Sequence, residues 1–176
     1  MPSLEIERKF IINSLDDVPG DLESYPHTRI EQAYLCTNPV VRVRRDGDRY
    51  YLTYKGSGMM EREEANLPLT MEAYNHLLLK ADGNVISKIR YRIELKNPKV
   101  KEGTPTPPSD YTLTVELDVF APPFAPLLMA EVEFGSKEAA ESFLPPEWFG
   151  EEVTYRREYH NSNMAMSNVL KPDAEF

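Results

Sequence analysis

The sequence predicts an α+β domain: one antiparallel sheet system with a few short helices against it. Three observations carry this. Segments such as EIERKF, VVRVRR and KIRYRIELK alternate apolar and charged side chains with a period of two. Tight-turn signals join neighbouring segments, which only antiparallel pairing allows. Helical patterns are short and begin at capping residues. A length of 176 residues without an internal repeat or linker fits a single domain over 1–176.

The elements follow in order. Residues 4–12 read as the first strand, and SLDDVPGDLESYP after it is a polar stretch with room for a poor helical turn. Strands are expected at 29–36 and 39–45, then at 49–55 after the Asp46-Gly47 turn, ended by Gly56-Ser57-Gly58. A strand over 61–67, with an alternation that runs on to Leu69, precedes Thr70, which caps a helix over about 71–82 with Leu77 and Leu78 on its buried side. The longest strands lie at 86–96 and 111–119. The proline-rich loop between them is expected to be too polar to pack, and mobile. A last strand at 128–134 leads to a short helix capped by Ser136, and a final helix is expected from Asn161-Ser162 to about Leu170.

Composition narrows the function. The formal net charge of −9 disfavours a whole-surface grip on nucleic acid, which needs a basic footprint. No apolar run approaches the ~20 residues of a membrane span, and no protein partner is evident. Cys36 is the only cysteine, which excludes an intramolecular disulfide or a multi-thiolate metal site. With no apolar signal-peptide core in MPSLEIERKF, a cytoplasmic location is expected.

Sorting each strand by parity exposes the chemistry. Ile6, Arg8 and Phe10 oppose Glu5, Glu7 and Lys9; Val41 and Val43 oppose Arg42 and Arg44; Leu52 and Tyr54 oppose Tyr51, Thr53 and Lys55. Ala65, Leu67 and Leu69 leave Arg62, Glu64 and Asn66 on the polar face. Further on, Ile89, Tyr91 and Ile93 oppose Lys88, Arg90 and Arg92. Leu113, Val115 and Leu117 oppose Thr114, Glu116 and Asp118, and Val132 opposes Glu131 and Glu133. One such strand is an ordinary solvated sheet. Here the polar face is ionic on nearly every strand, and acid and base segregate by strand. A closed barrel with that face inward would hold walls of acid and base around water, metal and a polyanion, as a permanently solvated tunnel. On this picture Lys88, Arg90 and Arg92 repel one another, and Arg90 should be dispensable for stability.

Other candidates are weaker. His27, His76 and His160 lack ligand spacing, Gly56-Ser57-Gly58 is a turn, and Ser162 and Cys36 have no partner that would mark a nucleophile.

The ordered set EIERK, RVRR, LTYKG, KIRYR, ELD and AEVEF, closed by PEWFGEEVTYRREYHNSNMA, resembles the CYTH superfamily of triphosphate tunnel metalloenzymes over about residues 3–166. The resemblance implies an eight-stranded antiparallel β-barrel with flanking helices, binding a small-molecule triphosphate on a basic wall and Mg²⁺ or Mn²⁺ on an acidic one. Carried over by position, Glu5 and Glu7 match first-metal ligands, completed by Glu131 or Glu133. Glu64, Glu116 and Asp118 match the opposite acidic group, associated with a second metal and the attacking water. Lys9, Arg42, Arg44, Lys55, Arg62, Lys88, Arg90 and Arg92 match the phosphate-binding wall, with Lys9 placed to protonate or stabilise the leaving phosphate. Asn66 stands where members often carry a second glutamate, and VTYRREY lacks the aspartate common after V-T. The expected reaction is metal-dependent hydrolysis of inorganic tripolyphosphate; cyclisation of ATP and non-catalytic polyphosphate binding are the alternatives.

Overall fold

The computed structural model describes residues 3–167. Eight strands close into an antiparallel barrel. They are β1 (Ser3–Ile11), β2 (His27–Thr37), β3 (Val40–Asp46), β4 (Arg49–Lys55), β5 (Glu61–Pro68), β6 (Asp82–Lys96), β7 (Thr112–Phe120) and β8 (Leu128–Glu133). Their order around the barrel is β1-β5-β4-β3-β2-β6-β7-β8. Among the described residues three short α-helices accompany them: α1 (Met71–Leu78), α2 (Lys137–Ser142) and α3 (Asn161–Met166). Thr70 and Ser136 cap α1 and α2 by accepting from Ala73 and Ala139 backbone N–H groups, as their sequences predict. Helix α1 is shorter than expected, because β6 begins at Asp82, before the apolar alternation does. Helix α3 ends at Met166; the expected end near Leu170 lies outside the described residues. No helix among the described residues is long and apolar enough to cross a membrane.

The parities hold, and they turn the fold inside out relative to a packed barrel. The apolar faces look outward, where Ile6, Phe10, Val115, Leu117, Val132 and Phe134 pack with Ala140 and Phe143 of the α2 region and with Phe149. Around the barrel, Tyr74 of α1 covers Ala33 and Val43. Arg8 shows why a cation sits on an apolar face. Its guanidinium lies over the Phe10 and Phe143 rings, donates to the Ala140 and Phe143 carbonyls, and forks onto Glu152. It clamps α2 and the C-terminal segment to β1.

The proline-rich loop corrects an expectation. It does not stay free of the body. Val100 bridges to Phe143, Lys101 N–H donates to the Ser142 carbonyl, and Leu144 N–H donates to the Lys99 carbonyl. Pro98 is buried and Pro105 and Pro108 line a small apolar hollow against Phe134 and Phe143. Proline rings carry apolar surface without a donor to satisfy, so a proline-rich segment can pack where a polar one cannot.

The interior is a cup, not an open pipe. At one end the inward positions turn apolar: Tyr34, Val40, Ile86, Phe120 and Met129 meet Met164 and Ala165 of α3. The segment after α2 makes this closure. It pairs with β1 through Phe10 and Glu152, then crosses the barrel end so that Ala165 accepts from Asn84 Nδ2 on β6.

Candidate active site

Above the plug lies a cavity of about 190 Å³ with an almost wholly polar lining. Every strand contributes, because each points alternate side chains inward. Strand β1 supplies Glu5, Glu7 and Lys9; β3 supplies Arg42, Arg44 and Asp46; β4 supplies Tyr51 and Lys55. Arg62, Glu64 and Asn66 come from β5, Arg90 and Arg92 from β6, Glu116 from β7, and Glu131 and Glu133 from β8.

Strand register decides how these charges meet. Neighbouring strands set Glu5 beside Arg62, Lys55 beside Glu64, Lys9 beside Glu131, Arg90 beside Asp118, and Arg92 beside Glu116. The expected separate walls are therefore interleaved over most of the barrel. Lys55 Nζ lies 2.7 Å from Glu5 Oε2 and 3.0 Å from Glu64 Oε2. Lys9 Nζ lies 3.0 Å from Glu131 and 3.1 Å from Glu7. Arg90 grips Asp118 with Nε and Nη2, both at 2.7 Å, and reaches Glu116 at 2.8 Å and Glu131 at 3.2 Å.

Electrostatics follow this pairing. Burial works against the charges on Lys9 and Arg90, yet Glu131 and Glu7 for the first, and Asp118 and Glu116 for the second, hold both pKa values above their ordinary range. Burial likewise opposes the Glu131 and Asp118 carboxylates, but Lys9 and Arg90 respectively hold them below theirs. Glu64 is pulled down to about 2, burial being outweighed by Lys55 with help from Asn66.

Arg42 and Arg44 are different. Their strand neighbours are Thr53 and Tyr34, and Tyr51 and Gln32, all uncharged. Arg42 Nη2 donates to Thr53 Oγ1 at 3.2 Å while its Nε, also buried, has no partner. Arg44 donates to Gln32 Oε1 at 2.8 Å. Among the described residues no carboxylate pairs with either, although they are only 4% and 8% exposed. Burial and the neighbouring Arg44 lower the Arg42 pKa.

Two expected site residues do not reach the cavity. Lys88 (1% exposed) and Asp118 (0%) lie beneath it, bonded to each other, with Asp118 also held by Arg90. Burial lowers Lys88 to about 8 despite Asp118. Parity aimed them inward correctly, but depth in a staggered barrel is invisible to parity.

The departure at Asn66 has a structural role: it accepts from Thr53 Oγ1 and donates to Glu64 Oε1, both at 2.6 Å. Other lining residues were not singled out from sequence. Tyr51 and Asp46 share parity with expected residues and could have been found that way. Tyr34 lies where β2 is interrupted by irregular register, which hides the alternation. His160 and Asn161 reach the cavity only because their segment crosses the barrel end. His160 Nε2 donates to the Thr154 carbonyl at 2.9 Å, and burial together with Lys9 lowers its pKa.

Carboxylates crowd the mouth where β1 and β8 meet. Glu133 sits opposite Glu7, and its pKa is raised by partial burial and by Glu5, Glu116, Glu7 and Glu64. Such a group gains from a cation. No three acidic or histidine side chains among the described residues converge as a preformed metal site, since Glu5, Glu7, Glu64 and Glu116 are each held by a lysine or arginine. The oxygen donors suit a hard divalent ion, provided an anionic guest draws those bases away.

Fold and cavity together define a class: closed antiparallel barrels that enclose a charged cup for a small polyanion in place of a packed core. The CYTH domain family model matches residues 3–163, and the chain belongs to that family. The chain is 35% identical over 166 residues to an inorganic triphosphatase of Nitrosomonas europaea, covering 93% of this chain and 97% of that protein. It is 30% identical over 162 residues to an inorganic triphosphatase of Acetivibrio thermocellus, covering 91% and 92%. Among solved structures, that of an inorganic triphosphatase superposes with a TM-score of 0.61 at 32% identity, covering 93% of this chain and 95% of that one.

Proposed function

We propose that this protein hydrolyses inorganic tripolyphosphate with the help of Mg²⁺ or Mn²⁺. The observation that carries the reading is the Arg42–Arg44 pair, two buried cations facing a small cavity with no carboxylate to neutralise them. Burying unpaired charge is costly. A linear polyanion seated between them removes that cost, so the guest is the missing half of an ion-pair network. Both similar curated proteins are inorganic triphosphatases, which favours hydrolysis over ATP cyclisation or mere binding.

The residues divide the work as follows. Arg42 and Arg44 seat the chain, and Arg90 and Arg92 neutralise charge on the facing side. Lys9 stays protonated against Glu131 and Glu7, so its role is to stabilise the charge of the leaving phosphate and not to surrender a proton. Asp118, itself held by Lys88, fixes the Arg90 guanidinium from below. Glu5, Glu7, Glu64, Glu116 and Glu133 would hold divalent metal, with Glu131 shared between that set and Lys9. A bound divalent ion supplies charge withdrawal from the phosphoryl group and a more acidic water.

Phosphate release from tripolyphosphate, ATP, thiamine triphosphate and pyrophosphate, with Mg²⁺ or Mn²⁺ and after EDTA, tests the reading. Tripolyphosphate should be the preferred substrate and EDTA should abolish turnover until metal is restored. Full turnover in metal-free buffer, or cyclic AMP from ATP, would overturn it.

A further inference from the structure

One carboxylate in the cavity is not accounted for by hydrolysis. Asp46 ends β3, two residues beyond Arg44 on the cationic wall, and is 6% exposed. Its Oδ2 lies 3.3 Å from Arg49 Nη2 and 3.8 Å from Arg92 Nη2. Its Oδ1 is buried, lines no hydrogen bond, and belongs to a side chain facing the cavity. An acceptor left unpaired inside a site otherwise rich in donors is a costly feature for folding alone to retain.

Position gives it a purpose. Inward side chains on a strand repeat about every 7 Å, so Arg42, Arg44 and Asp46 form a ladder from the plug to the mouth. Below Arg42 the ladder ends at Val40, against the apolar plug of Tyr34, Ile86, Phe120 and Met129. A phosphate chain gripped by Arg42 and Arg44 can therefore lengthen only toward the mouth, past Asp46. We propose that Asp46 sets the length of linear polyphosphate the cavity accepts, its charge repelling a fourth phosphate where a third is still held by Arg44 and Arg92. The inference rests on the tripolyphosphatase reading above and adds to it a residue that decides specificity.

The test compares kcat/KM for tripolyphosphate and tetrapolyphosphate in the full chain with Mg²⁺. Wild type should favour tripolyphosphate. Asp46→Asn, nearly isosteric and uncharged, should raise the tetra-to-tri ratio about tenfold, the scale of one like-charge repulsion in a partly solvated site, chiefly through a lower KM for the longer chain. Asp46→Ser should shift the ratio the same way if the asparagine variant folds poorly. Arg49→Ala breaks the same ion pair but keeps the carboxylate, so it should not raise the ratio. An unchanged ratio in both Asp46 variants, or an Arg49→Ala ratio equal to that of Asp46→Asn, would overturn the proposal. Wild type that releases phosphate from neither substrate would instead overturn the reading of the site, and this inference with it.

Discussion

Arg90 and Arg42 are both buried arginines on inward strand positions, yet their surroundings are opposite. Arg90 touches Asp118, Glu116 and Glu131. Arg42 touches Thr53 and leaves one nitrogen without a partner. The first arrangement is complete as it stands; the second, on the proposed reading, is completed by an anion in the cup. A charged interior is thus not uniformly functional. Cations whose strand neighbours are acids are neutralised before any guest arrives, whereas on the proposed reading those whose neighbours are neutral are neutralised by the guest.

The largest expected effect separates the two directly. Arg90→Met strips Asp118 of its two-pronged partner and leaves Glu131 to Lys9 alone, and breaking such a buried network costs about 3–5 kcal/mol. Urea melts should show it. The expectation that Arg90 is dispensable, drawn from like-charge repulsion along one strand, leaves out the acids that face it: β7 brings Asp118 and Glu116, and β8, one strand further on, brings Glu131. If Arg90→Met melts like wild type, the distinction between frame and guest site collapses.

Next comes the mouth. Glu7→Gln should lower kcat at least ~10²-fold while circular dichroism stays native, since a carboxylate with the proposed metal-holding role would act mainly on the transition state. A misfolded variant would place Glu7 in the frame with Asp118.

Arg42→Met is the counterpart of Arg90→Met. The unliganded protein should be as stable as wild type or more so, because an unpaired buried charge is removed. A non-hydrolysable triphosphate analogue with metal should stabilise wild type by about 2.7 kcal/mol at ~100 times Kd, and Arg42→Met should lose most of that shift. Thermal melts with and without analogue read both quantities, and an undiminished shift would place the substrate elsewhere.

The smallest effect is in acid. Carboxylates whose folded pKa is depressed add stability that is present above their unfolded pKa and lost as pH falls through the folded one. Glu64 lies at about 2 against an ordinary 4.5, and Asp118 and Glu131 are shifted in the same direction. Stability from these three should hold near neutrality, begin to fall below about pH 4.5 and keep falling toward pH 2. A melting temperature that does not move over that range would mean the pairs contribute nothing to the frame.

What the sequence by itself determined was which side chains share a face. The period of two put Glu5, Glu7 and Lys9, Arg42 and Arg44, and Arg62 and Glu64 on one side of their strands, and each lines the cavity. That information is local, because pleating fixes it within one strand. The ordered motifs added the family, and with it the closed barrel. Pairing was not local. Whether an arginine meets an acid or a threonine depends on register across two neighbouring strands, and register is set by hydrogen bonding and turn geometry around the whole barrel. Only the tertiary structure could therefore show Arg90 saturated and Arg42 open, sink Lys88 and Asp118 beneath the cavity, and bring His160 and Asn161 to it by crossing the barrel end. It also showed that the solvated tunnel is closed at one end, because the inward positions of several strands change from charged to apolar there, a coincidence that no single strand records.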